Sequence, residues 1–75
     1  MRSLDEASSP SLDILTRREK QILTLIANGL ANKNIASKLK ISPRTVETHR
    51  IHITDKLGIK NTASLVRFAV SKGLV

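Results

Sequence analysis

The sequence predicts an all-α fold: a four-helix bundle containing a helix-turn-helix, with helices at about 16–28, 32–39, 43–57 and 62–72. Three observations predict it. Apolar residues recur at helical spacing, with almost no alternation of the β type. The three glycines, Gly29, Gly58 and Gly73, each follow a helical run, where a left-handed residue stops a helix. Two of the runs, one ending at Leu39 and the next opening at Ser42, leave a turn of about three residues.

Each helix has its own start signal. Thr16-Arg17-Arg18-Glu19 is a capping box, in which the Thr and Glu side chains satisfy two orphan amides reciprocally. Ile22, Leu23, Ile26 and Ala27 then form its apolar stripe. The second helix turns Ile35, Ala36 and Leu39 inward. Ser42-Pro43 opens the third, with Ser as N-cap and Pro at the first helical position, where a missing N–H costs nothing. The fourth starts at about Asn61 or Thr62 and buries Leu65, Phe68 and Ala69.

A chain of 75 residues is one small domain. A domain of that size buries only about 60% of its unfolded surface. Cysteine is absent, so disulfides and cysteine-ligated metals are excluded. The formal charge is +7, unevenly placed. Residues 1–13 hold one basic and three acidic residues, net −2, and read as a flexible linker or arm. The remaining 12 basic and three acidic residues give +9 to the domain at 14–75. Such a charge attracts polyanions, nucleic acid before anionic membrane. Phe68 is the sole aromatic, which argues against base-stacking modes that read single strands.

Other classes are disfavoured. The apolar runs are too short to span a bilayer, and the N-terminus has no stretch of signal-peptide length, so a soluble, cytoplasmic protein with no membrane contact is expected. No nucleophile-base-orienter set and no glycine-rich phosphate loop is evident, so neither an enzyme nor a cofactor is expected. His49, His52 and Asp55 share a helical ridge, but a closed zinc site wants a fourth ligand and no other His or Cys exists, so no metal is expected either. The same two histidines could instead sense acid pH.

The third helix carries the functional argument. At about 100° per residue, Val46, Ile53 and Leu57 share one stripe. Arg44, Glu47, Thr48, Ile51, His52 and Asp55 fall on the opposite face, while His49 and Arg50 flank the stripe. A helix used only to attract phosphates could be all Lys and Arg. Reading base edges needs variety, and this face offers a carboxylate, an arginine fork, a hydroxyl and an apolar group.

The segments "LTRREKQIL", "IANGLANKNIASKL", "ISPRTVETHR" and "DKLGIKN" resemble the LuxR-type helix-turn-helix of bacterial transcription regulators, the output domain of many two-component response regulators and quorum-sensing receptors. The resemblance runs from Leu15 to about Ala69. It implies four helices, the third in the major groove of double-stranded DNA, and a homodimer on paired half-sites with the fourth helix at the interface. It implies base contacts from Glu47, Thr48 and Ile51, with Arg44 and His52 beside them. It implies phosphate contacts from Lys33, Thr45 and Lys56, with His49 and Arg50 as further candidates. Val66 and Val70, four apart, make an outer apolar ridge on the fourth helix, read as the dimer contact. A sigma-factor-like DNA-binding domain and a helical interaction module, docking RNA polymerase or another helix, are the alternatives.

Three departures from the family pattern stand out. Ala31 and Asn34 replace the Ser/Thr and Glu that often box the second helix, leaving Asn32 to cap one residue later. Lys40 stands where Gly or Asn often closes the turn, so a positive φ there would strain the backbone. Glu47 and Ile51 differ from the Lys- and Val-like residues common in relatives, which bears on the operator and not on the binding mode.

Overall fold

The structure, a computed structural model, describes residues 12–75. A single 3-10 turn, Leu12–Ile14, leads into four helices: α1, Arg17–Ala27; α2, Asn32–Leu39; α3, Pro43–Leu57; and α4, Thr62–Ser71. No strand occurs among the described residues. The expected arm lies, as far as Ser11, outside the described residues. Leu12 and Asp13 belong to the folded part, and Leu12 packs against the core.

The starts are set by side-chain caps, with one exception. In α1 both arms of the capping box form: Glu19 N–H donates to Thr16 Oγ1 at 3.1 Å, and Thr16 N–H donates to Glu19 Oε1 at 2.8 Å. Ser42 Oγ accepts from Thr45 N–H at 3.1 Å and opens α3. Asn61 Oδ1 accepts from Ser64 N–H at 2.8 Å and opens α4. The exception is α2. Its N-cap is Ala31, with no side-chain bond, and Asn32 is already its first helical residue. The expected cap by Asn32 is therefore corrected: the chain enters α2 one residue too early for Asn32 to serve.

All four helices stop by one device. A left-handed residue follows the helix, and the next amide donates back five residues to a carbonyl of the last turn. These bonds are Leu30 N–H to Leu25 O at 3.1 Å, Ile41 to Ala36 at 2.9 Å, Ile59 to Thr54 at 3.1 Å and Leu74 to Ala69 at 3.0 Å. Each donor residue is apolar and packs against the core, so every stop is also a hydrophobic contact. Three of the left-handed residues are glycine; the fourth is Lys40, with φ of 60°.

The core unites Leu15, Ile22, Leu23, Ile26, Ile35, Ala36, Val46, Ile53, Leu57, Leu65 and Ala69. Helix α1 is the hub, packing on α2, α3 and α4, while α2 and α3 pack on each other across their short turn. Phe68 and Leu39 are only half-buried at the margin. Phe68 also carries the Lys72 ammonium 5.7 Å from its ring centroid. No helix among the described residues is long and apolar enough to cross a membrane.

Candidate nucleic-acid interface

Helix α3 is pinned by three buried residues. Val46, Ile53 and Leu57 are inside, so the wheel's opposite side must face out. Arg44, Glu47, Thr48, Ile51, His52 and Asp55 are all exposed. Ile51 is 58% exposed, a large alkyl group held in water by the pinning of its own helix. His49 and Arg50 are half-buried at the two margins.

Polar contacts then sort this face. Thr48 Oγ1 donates to the Arg44 carbonyl at 3.2 Å. Glu47, Arg44 and His52 make no hydrogen bond or ion pair with a described residue, so their polar heads face solvent. Arg50 Nη2 donates to Thr62 Oγ1 at 2.7 Å, tying α3 to the start of α4. Thr45 is half-buried, its hydroxyl 2.9 Å from that of Ser42, so it takes part in the cap of α3. The Nδ1 atom of His49 is buried without a partner.

Lys33 is exposed in the first turn of α2. The expected phosphate contacts thus fall in the first turn of α2 at Lys33, at the start of α3 at Thr45, in the middle of α3 at His49 and Arg50, and in its last turn at Lys56. Lys56 is not a free cation. Its Nζ donates to Glu19 Oε1 at 2.8 Å. Two further N–H groups of the ammonium remain for another acceptor.

Glu19 is the residue that reading the sequence for function passed over. It is 3% exposed and is the one buried charged side chain among the described residues. Burial by itself would push its carboxyl up. The Lys56 ammonium, the Thr16 amide and the charge of His52 outweigh that and hold it below the usual value of 4.5. A signal was present: Glu19 precedes Ile22, Leu23 and Ile26 by three, four and seven residues, which places it on the core stripe of α1.

The outer ridge of α4 is narrower than expected. Val66 is half-buried and packs against the core, whereas Val70 is 55% exposed. A widely open surface depression of about 280 Å³ lies elsewhere, between α1 and α2, lined by Gln21, Thr24, Leu25, Lys38 and Leu39.

Comparison with known proteins agrees with the four-helix fold. Residues 13–69 match the family described as "GerE: Bacterial regulatory proteins, luxR family". The chain is similar to the oxygen regulatory protein NreC of Staphylococcus epidermidis, 49% identical over 73 residues, covering 95% of this chain and 34% of that protein. It is similar to NreC of Staphylococcus aureus, 52% identical over 62 residues, covering 83% of this chain and 29% of that one. Among solved structures it resembles the response regulator ChrA of a heme-sensing two-component system, with a TM-score of 0.73 and 41% identity, covering 81% of this chain and 30% of that one. The chain thus spans about a third of the length of these relatives. On its motifs, its four helices and these matches, the chain belongs to the luxR family of bacterial regulatory proteins, as a helix-turn-helix DNA-binding domain.

Proposed function

We propose that this domain reads double-stranded DNA sequence-specifically as the output of a two-component transcription regulator in the bacterial cytoplasm. Helix α3 enters the major groove. Glu47, Thr48 and Ile51, with Arg44 and His52 beside them, meet base edges. Lys33, Thr45, His49, Arg50 and Lys56 meet phosphates. Two copies bind paired half-sites, joined through α4 at Val70 and the exposed edge of Val66.

One observation carries this reading. The exposed side of α3 is chemically mixed, with an unpaired carboxylate and a bare isoleucine, while the cations that suit phosphate lie at its margins and on neighbouring turns. Phosphate attraction alone would select neither Glu47 nor Ile51. Discrimination among base edges selects both.

The test is the salt dependence of binding to a selected site. Neutralising about five phosphates per monomer gives a log-log slope of about −4 to −6. A slope near zero overturns the proposal.

A further inference from the structure

Thr48, Glu47 and Ile51 together form a patch on α3 that has no hydrogen-bond donor to offer. The hydroxyl of Thr48 lies 3.2 Å from the Arg44 carbonyl, an oxygen that can only accept. Its proton is therefore committed to the backbone, and Thr48 presents a methyl group and lone pairs. Ionised Glu47 is acceptor-only. The two arginines three residues away leave it unneutralised: Arg50 reaches across to Thr62 at 2.7 Å, and Arg44 forms no ion pair. Ile51 has no polar side-chain atom. Donors stand only at the rim, in Arg44 and His52.

Base edges differ sharply in how they meet such a patch. Guanine presents N7 and O6, both acceptors, and repels a carboxylate. Thymine presents O4, another acceptor, beside a methyl group. Adenine presents its N6 amino group next to the N7 acceptor, which opposes the second carboxylate oxygen. Cytosine presents its N4 amino group with no acceptor on its own edge. A carboxylate brought into the groove without a donor is desolvated beside a polyanion, so a wrong edge is penalised and not merely unrewarded.

Resting on the DNA-reading proposal above, we propose that this patch specifies a cytosine and a nearby thymine on the contacted strand. Glu47 accepts from the cytosine N4 amino group. Ile51 and the Thr48 methyl pack on the thymine C5-methyl group. Glu47 and Ile51 are four residues apart, about 6 Å along the helix axis. Base pairs are spaced about 3.4 Å apart, so the thymine lies one or two pairs from the cytosine. Guanine on the contacted strand is rejected at the Glu47 position.

The experiment selects duplexes from a random library with the full chain, then probes the enriched site with base analogues. Removing the amino group of the cytosine, by replacing it with 2-pyrimidinone, should weaken binding roughly 5- to 150-fold. The same replacement should have no effect on the Glu47→Ala variant, whose exposed, unpartnered position leaves the fold intact. Replacing the paired guanine by 7-deazaguanine should change affinity less than about twofold, since N7 lies outside the proposed contact. Replacing the thymine by uracil should weaken the wild type more than it weakens Ile51→Ala, which keeps only the Thr48 methyl against that group. The inference is overturned if an enriched site depends on the guanine N7 at that pair, or if its cytosine preference survives Glu47→Ala. An absence of any enriched sequence would instead remove the DNA-reading proposal on which it rests.

Discussion

Glu19 shows how one side chain joins the two ends of the domain's logic. Its carboxylate closes the cap of α1 and, across 37 residues, holds Lys56 in the last turn of α3. A charged group removed from water is tolerable only when its lone pairs are used, and here the amide of Thr16 and the ammonium of Lys56 use them. Glu19→Gln keeps the shape and loses the charge, so we expect a loss of about 1.5–3 kcal/mol in urea unfolding, the range for hydrogen bonds to charged groups. Because the folded carboxyl is held below 4.5, its contribution is present above that pH and is lost as pH falls through the lowered folded value. Stability of the wild type should therefore drop below about pH 4.5 more steeply than that of Glu19→Gln; parallel curves would contradict this. Lys40 is the opposite case. With φ of 60° it occupies a conformation that costs an L-residue about 1–2 kcal/mol, and a Cβ there contributes no buried contact in return. Lys40→Gly should stabilise the domain by about 1 kcal/mol in the same assay; an unchanged midpoint would show that the strain is absorbed elsewhere.

At the scale of the element, the four helices share a stop and differ in their starts. Each stop pairs a left-handed residue with an apolar one, so the chain leaves the helix and re-enters the core within two residues. That economy is what makes the turn between α2 and α3 short enough for a helix-turn-helix. The weak point is the start of α2, where Ala31 offers no acceptor. Ala31→Ser should stabilise α2, and with it the domain, by about 0.5–2 kcal/mol in thermal or urea unfolding. Adding Asn34→Glu completes a capping box and should increase the gain. No gain from either would mean that α2 is held wholly by Ile35 and Ala36 and not by its first turn. Leu12, counted with the arm on composition, packs against the core, because it finds apolar neighbours that composition cannot reveal.

For the whole molecule the decisive relation is between two faces. One face of α3 is nailed to α1 and α2, so the other cannot rotate away from the groove it is proposed to read. Rigid presentation of this kind reduces the cost of ordering side chains on binding. The second copy is proposed to meet the first through Val70, whose side chain is largely in water in the isolated chain. Val70→Asp should therefore leave the affinity for a single half-site near that of the wild type, because the position is remote from α3. On paired half-sites it should abolish the cooperative gain, read by gel shift and by sedimentation with DNA. Equal losses on both kinds of site would point to unfolding, and no loss on either would place the dimer contact elsewhere.

Local physics made the helices and the faces of α3 legible in advance. Thr16, Ser42, Asn61 and the three glycines act within four or five residues of themselves, and a helix's two faces follow from its periodicity once Val46, Ile53 and Leu57 are taken as core. The left-handed turn at Lys40 was legible only as a condition, from the Gly or Asn that often stands there in the family, and the structure meets it with φ of 60°. What only the tertiary structure decided are the choices made between distant partners. Lys56 could have pointed at solvent, at its own helix end or at α1, and it binds Glu19. Arg50 could have neutralised Glu47, and it binds Thr62 instead. Val66 could have shared the outer ridge with Val70, and it leans on the core. Each of these depends on how the helices cross, which periodicity along one chain does not encode. They matter for the proposed function because they leave Glu47 without a partner in the middle of the face that this basic domain is proposed to turn toward DNA.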